Sequence, residues 1–217
     1  TRIGSSAASD VYKRQAPRFS EKNGFKGYIS AEELEGNFQF FLHWTGVDKY
    51  YNQNELGYFI LHNSQRVGGR VSYRILKDNK LFRTLSSSLY VGRTFRFDDG
   101  ERIRSGMRFA NMIQLQNLSG IGFVLRYTDR EKDYYETRNN DRFIINPSEL
   151  DVLISYSTNN NKKVYSKIEF SNITSFNEQF NEKKIYNRYE VDLNFRFSDQ
   201  ISAKISSEIK NTQEDIG

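Results

Sequence analysis

Apolar side chains recur at every second position through most of the chain, the period of a β-strand with one apolar and one polar face. The clearest run is Arg188 to Phe197, R-Y-E-V-D-L-N-F-R-F. Tyr189, Val191, Leu193, Phe195 and Phe197 alternate there with Arg188, Glu190, Asp192, Asn194 and Arg196. The same period predicts a strand with Phe38, Phe40, Leu42 and Trp44 on one face. A second carries Val67, Gly69, Val71, Tyr73 and Ile75 opposite Arg66, Arg70 and Arg74. Further strands are marked by Leu85, Leu89 and Val91, and by Met107, Phe109, Ile113 and Leu115 with Asn111 interrupting the apolar face. Others carry Ile121–Tyr127, Leu150–Tyr156, the set Val164, Ile168 and Phe170, and Ile201–Ile209. An earlier strand falls near Phe25–Ile29, which brings the expected total to about nine or ten.

The connections carry a second pattern. Short polar turns are expected at Lys77–Lys80, Asn117–Gly120, Thr158–Lys162 and Ser198–Gln200. Longer loops are expected at Gly46–Tyr58, Phe97–Arg102, Thr128–Glu149 and Ser171–Asn187. A meander sends alternate connections to opposite ends, so one end is tight and the other elaborate, as in outer-membrane barrels.

Composition narrows the environment. The 217 residues are only 37% apolar yet 15% aromatic, with 17 Phe and 14 Tyr. Disordered chains are poor in aromatics, whereas strands with one wet face fit this balance. With 2 Pro, long ladders are not interrupted. The absence of Cys excludes disulfides and thiolate metal sites. No apolar run is long enough for a transmembrane helix, but spanning strands need only about 9–11 residues. The net charge of +5 is read as basic residues scattered among acidic ones, which gives no nucleic-acid footprint.

A soluble sandwich also alternates apolar and polar positions. The charge on the inferred inner faces is too high for a shared dry core, because an unpaired buried charge is strongly disfavoured. Tyrosines near strand ends, such as Tyr50, Tyr51, Tyr134 and Tyr186, suit a lipid–water interface. The expected fold is therefore all-β: an antiparallel up-and-down meander forming part of a transmembrane β-barrel. An open edge in lipid leaves backbone groups unsatisfied, so a closed barrel is expected to need more strands than are visible here.

Residues 5–15, S-S-A-A-S-D-V-Y-K-R-Q, resemble the translation of a common sequencing adaptor. Residues 1–15 are therefore expected to be an unstructured artefact, and residues 16–217 an incomplete barrel domain. The C-terminal N-T-Q-E-D-I-G lacks the terminal aromatic residue common in bacterial outer-membrane barrels, which extends that expectation to both ends.

The segment V-D-K-Y-Y-N-Q-N-E-L-G-Y, Val47–Tyr58, carries the most specific motif. With Trp44 before it, Tyr51, Asn54, Glu55, Leu56, Gly57 and Tyr58 resemble a motif of a Gram-negative surface-protein family with a C-terminal outer-membrane β-barrel of unassigned function. Glu55 stands where that pattern has Asp. The resemblance implies residence in the outer membrane, and an upstream β-sandwich like the family-nine carbohydrate-binding modules. It carries over no catalytic residue. Read without it, Asn54 and Gly57 suit positive-φ turn positions in a rigid connection.

Candidate chemistry is sparse. His43 and His62 are the only histidines, and Ser64 follows His62 at same-face strand spacing. A catalytic pair needs geometry that this spacing does not supply, and an ordinary polar-face role is favoured. Asp98-Asp99-Gly100-Glu101 has clustered carboxylates but no EF-hand spacing, so it reads as a turn. The charges between Thr128 and Asn146 read as a solvated loop, with polysaccharide or lipopolysaccharide phosphate as its possible ligand. Arg66, Arg70, Arg74, Arg188, Glu190, Asp192 and Arg196 are the candidate lumen lining. The functional expectation is a non-enzymatic outer-membrane barrel segment, without cofactor or metal, that anchors an upstream glycan-binding module or passes a solute. Its partner is membrane lipid. The alternative is a soluble, secreted all-β polysaccharide-binding module, and a third reading is a membrane hydrolase using His43 or His62.

Overall fold

The computed structural model describes residues 23–51, 62–77, 79–134, 136–137 and 142–215. The strands are β1 (Lys26–Glu32), β2 (Phe38–Val47), β3 (Ser64–Ile75), β4 (Phe82–Arg96), β5 (Arg102–Leu115) and β6 (Gly120–Thr128). They continue as β7 (Glu131–Asp133), β8 (Ile144–Asn146), β9 (Ser148–Ser157), β10 (Val164–Asn177), β11 (Glu182–Arg196) and β12 (Ser202–Asp215). Ten form one sheet in the order β1-β2-β3-β4-β5-β6-β9-β10-β11-β12, a meander without crossovers, while β7 and β8 pair separately. Every neighbouring pair is antiparallel. The strand order is linear, with β1 and β12 at its two ends.

Register carries the alternation across the sheet. Leu42 lies beside Gly69, Gly69 beside Val91, Val91 beside Met107, and Met107 beside Tyr127. Farther along, Phe123 lies beside Ile154, Ile154 beside Phe170, Phe170 beside Tyr189, and Tyr189 beside Ile209. All of these share one face. That face is uncovered: Leu42 is 55% exposed, Ile154 47% and Ile209 64%. Among the described residues the only buried apolar side chains are Val47 and Ile103, each 5% exposed. Two pairs of polar side chains on this face satisfy one another. Asn111 donates its amide to Ser87 Oγ at 2.6 Å, and Asn172 donates to Asn187 Oδ1 at 2.8 Å. Such pairing removes the cost of an orphan polar group in apolar surroundings.

The strand and short-turn expectations hold; of the four long loops, Ser171–Asn187 is not a loop, and Phe97–Arg102 falls where expected but is no longer than the short turns. The segment expected as a loop at Ser171–Asn187 is a continuation of β10 and β11, with Ser171 opposite Arg188 and Asn177 opposite Glu182. The apolar period fades there, while the extended backbone goes on pairing. The connection after β4 is only 97–101. Gly100, at φ +72°, makes that tight reversal possible. The strand reading of His62–Ser64 also fails. β3 begins at Ser64, and Asn63, at φ +51°, turns the chain just before it. The small β7–β8 hairpin inside the long loop was not foreseen.

Candidate functional site

The opposite face of the sheet is polar, and all seven candidate lining residues lie on it. Arg66, Arg70 and Arg74 project from β3, and Arg188, Glu190, Asp192 and Arg196 from β11. The structure places them in two electrostatic regions. No Asp or Glu lies in β2, β3, β4, β5 or β6. Glu32 ends the edge strand β1, and acidic residues return at β9 with Glu149 and Asp151 and continue through β12. The even scatter of charge read along the sequence is thus a scatter between loops and strands. Within the sheet, β2–β6 form a stretch without acidic residues, and β9–β12 carry both signs.

In the basic region three rows of side chains lie in register. Arg66 is opposite Thr94, which is opposite Arg104. Next come Gly68, Gly92 and Gly106, and His43 heads that row. Then Arg70 lies opposite Tyr90, Tyr90 opposite Arg108, and Arg108 opposite Arg126. Tyr90 leans across the glycines: a Cβ on Gly92 would stand 2.6 Å from its hydroxyl. Its hydroxyl pairs with His43 Nε2 at 3.2 Å, and the Arg66 guanidinium lies 5.9 Å from its ring centroid. Beside it a cavity of about 290 Å³ is lined by Arg66, Gly92, Thr94, Arg104, Arg108 and Arg126, among others. Arg104 reaches Glu131 at 3.5 Å and Arg126 reaches Asp151 at 3.1 Å. Among the described residues Arg66, Arg70, Arg74 and Arg108 form no ion pair.

In the mixed region Glu169, Glu190 and Glu208 stand in register across β10, β11 and β12. Arg188 reaches Glu190 at 2.6 Å and Glu169 at 3.6 Å, and it also pairs with Glu208. Lys167 holds Glu169, Lys210 holds Glu208 and Lys204 holds Asp192, each within 2.8–2.9 Å. Arg196 donates to the Asn160 carbonyl at 3.4 Å.

The long-loop end is knitted together by charge. Lys132 and Tyr134 both donate to Glu101, and Arg102 meets Asp129 at 3.0 Å. The hydrogen bonds from Lys132 and then Tyr134 hold the Glu101 carboxyl below the usual carboxylate range. Burial first, and then the bond to Glu101, pushes the Tyr134 phenol up. The Asp98–Glu101 segment is a turn whose Asp98 and Asp99 face Arg96 at 3.5 and 3.3 Å. Ile103 falls at the register shift beside Thr94 and lines a crevice with His62, Lys132 and Tyr134. Of the charges expected as a solvated loop, Asp129, Arg130, Glu131 and Lys132 bond to neighbouring elements, Arg130 to Glu178 at 2.9 Å, while Arg138 and Asp141 lie outside the described residues.

Of the motif loop, Asn54, Glu55, Leu56, Gly57 and Tyr58 lie outside the described residues. Trp44 sits on the apolar face and donates its indole N–H to Gln65 Oε1 at 3.4 Å. The Tyr51 amide donates to Asp48 Oδ1 at 2.8 Å, beside the Tyr50 amide at 2.9 Å, so Asp48 caps the loop entrance. His43 stacks on Phe41, with ring centroids 5.3 Å apart. No group of three or more His, Asp or Glu among the described residues is arranged to hold a metal. Sequence reading missed Tyr90, Arg104, Arg108 and Arg126. Their strand parity relative to Leu89 and Val91, to Met107 and Phe109, and to Phe123 and Leu125 was the available signal.

Fold and faces together define a meandering antiparallel β-sheet protein with one apolar face and one charged face. The chain belongs to the family described as a domain of unknown function (DUF5916), whose model matches residues 2–217. No curated protein and no solved structure matches it.

Proposed function

We propose that this sheet is part of the wall of an outer-membrane β-barrel, with its apolar face toward lipid and its charged face toward a wet lumen. The observation that carries the reading is the continuous, uncovered apolar face running across ten antiparallel strands. Water disfavours an apolar surface of that extent, whereas a bilayer solvates it. β4, β5, β10, β11 and β12 are 14 or 15 residues long, more than a spanning strand of about 9–11 residues requires. The role is structural or conductive rather than catalytic: anchoring an upstream glycan-binding module, or passing a solute along the charged face. The long loops are the surface for polysaccharide or lipopolysaccharide. A soluble polysaccharide-binding module would use the same charged face but would leave the apolar one in water.

The test uses the full-length protein. It should fractionate with the outer membrane, and recovery as a soluble periplasmic protein would sink the proposal. Paired substitutions assign the faces. Ile154→Arg should destabilise the bilayer-folded protein by about 2–4 kcal/mol if it lies near the midplane. Ser155→Arg, on the opposite face beside Glu169, should be tolerated. Equal costs in a folding titration into lipid vesicles would contradict the lipid-facing assignment.

A further inference from the structure

Charge on the polar face is not merely plentiful but unbalanced. On β9–β12 the cations Lys167, Lys184, Arg188, Lys204 and Lys210 on that face each have a carboxylate partner, and Arg196 bonds the Asn160 carbonyl instead. On β3–β6 Arg96 and Arg102, at the strand ends, pair with acidic residues of the turns, but the arginines around the cavity have almost none: Arg104 and Arg126 reach a single carboxylate each, and both lie outside those strands. Arg66 and Arg108 line the same cavity with no counter-charge among the described residues. Four guanidiniums brought around about 290 Å³ repel one another and leave donors unused. The planar guanidinium matches carboxylate and phosphate oxygens two at a time. Gly106 puts no side chain into the cavity, so a ligand can approach the backbone there, while the Tyr90 ring lies over Gly92.

We propose that this cavity is a binding site for a small oxyanionic solute bearing carboxylate or phosphate groups, held by Arg66, Arg104, Arg108 and Arg126. Arg66 and Arg108 supply the uncommitted charge. Arg104 and Arg126 are shared with Glu131 and Asp151 at the margins. The His43–Tyr90 pair closes one flank, with the hydroxyl at 3.2 Å from the imidazole. If the face lines a lumen, the site is a station for anions along it, so the lumen role rests on the barrel reading while the binding itself does not.

The test is isothermal titration calorimetry on the full-length protein, in detergent if it is membrane-bound and in buffer if it is soluble. Inorganic phosphate and succinate are the probes. The wild type should bind at least one of them, and the double variant R66Q/R108Q should bind about tenfold or more weakly. R196Q, which removes an arginine from the same face outside the cavity, should bind as the wild type does. R66K/R108K, which keeps the charge but loses the fork, should fall between, and it stands in if the Gln variant does not fold. Preference for phosphate or for succinate identifies the class of solute. No heat with either probe, or equal affinity in wild type and R66Q/R108Q, overturns the site. Membrane fractionation is read separately, so a soluble protein that still binds through these arginines would remove the barrel and keep the site.

Discussion

On β10–β12 three glutamates stand side by side, and Arg188 reaches all of them. On β3–β5 two rows of arginines flank three glycines, with no carboxylate anywhere in those strands. Both regions belong to the polar face of one sheet, and both place like charges on neighbouring strands, in the second Arg108 opposite Arg126 of β6, which is unfavourable. The first resolves the repulsion internally, through a shared cation. The second leaves it unresolved within the described residues. A region that completes its own charge balance acts as structure. One that leaves donors unspent is suited to take up a charge from outside.

The largest effect expected from breaking this contrast is Arg188→Ala. It strips the common partner from Glu169, Glu190 and Glu208, so its thermal midpoint should fall further than for any other single charge removed from this face. Arg188→Lys should recover only part of the loss, because an ammonium cannot fork toward three carboxylates at once. A midpoint unchanged by Arg188→Ala would show that water screens the three glutamates without help. Next comes Gly68→Ala. An added Cβ would stand 2.5 Å from His43 Nε2 and would also meet the Tyr90 hydroxyl. Displacing that pair should cost about 1–3 kcal/mol in denaturant unfolding.

How these regions were legible differs. The apolar alternation of Tyr189, Val191, Leu193 and Phe195 reports strand identity and face directly, because period two has no other simple reading. Parity also assigned Arg66 and Glu190 correctly to the polar side. The extension of β10 past Ser171 was hidden: Asn172, Thr174 and Ser175 carry no apolar rhythm, yet their backbone pairs as well as any. The turn of Asn63 depends on a positive φ that sequence does not announce. The acid-free run of β2–β6 was present in the sequence but hidden, since acidic turns such as Asp98–Glu101 interleave with basic strands in chain order. Only register shows that these carboxylates lie beyond the strand ends.

Arg66→Gln should invert the sign seen at Arg188. It removes one charge from an arginine-rich neighbourhood and breaks no ion pair among the described residues. Stability in anion-free buffer should stay within about 0.5 kcal/mol of the wild type or rise slightly. A clear loss would mean that the Arg66 contact with the Tyr90 ring is structurally important, and would weaken the division into structural and receptive halves.

The smallest effect concerns pH and the hairpin that overhangs the basic region. Glu101 has its carboxyl held below the ordinary carboxylate range by Lys132 and Tyr134. A depressed carboxyl contributes its stabilisation above its unfolded value and loses it as pH falls through the lowered folded one. Tyr134 is shifted the other way. Its contribution is full below the ordinary tyrosine range and is lost as pH rises through the raised folded value. Attachment of β7–β8 should therefore hold across neutral pH and weaken at both extremes. Hydrogen exchange at Glu131–Asp133, corrected for the intrinsic pH dependence of exchange, should show this against a flat β10–β11 reference. Glu101→Gln should abolish the acid edge and leave the alkaline one smaller. The change should be modest, because the Glu101 side chain remains 36% exposed and water screens the pair. An acid-induced loosening that survives Glu101→Gln would assign the hairpin's hold to its other ion pairs, Arg104 with Glu131 and Arg102 with Asp129, and so to the basic region itself.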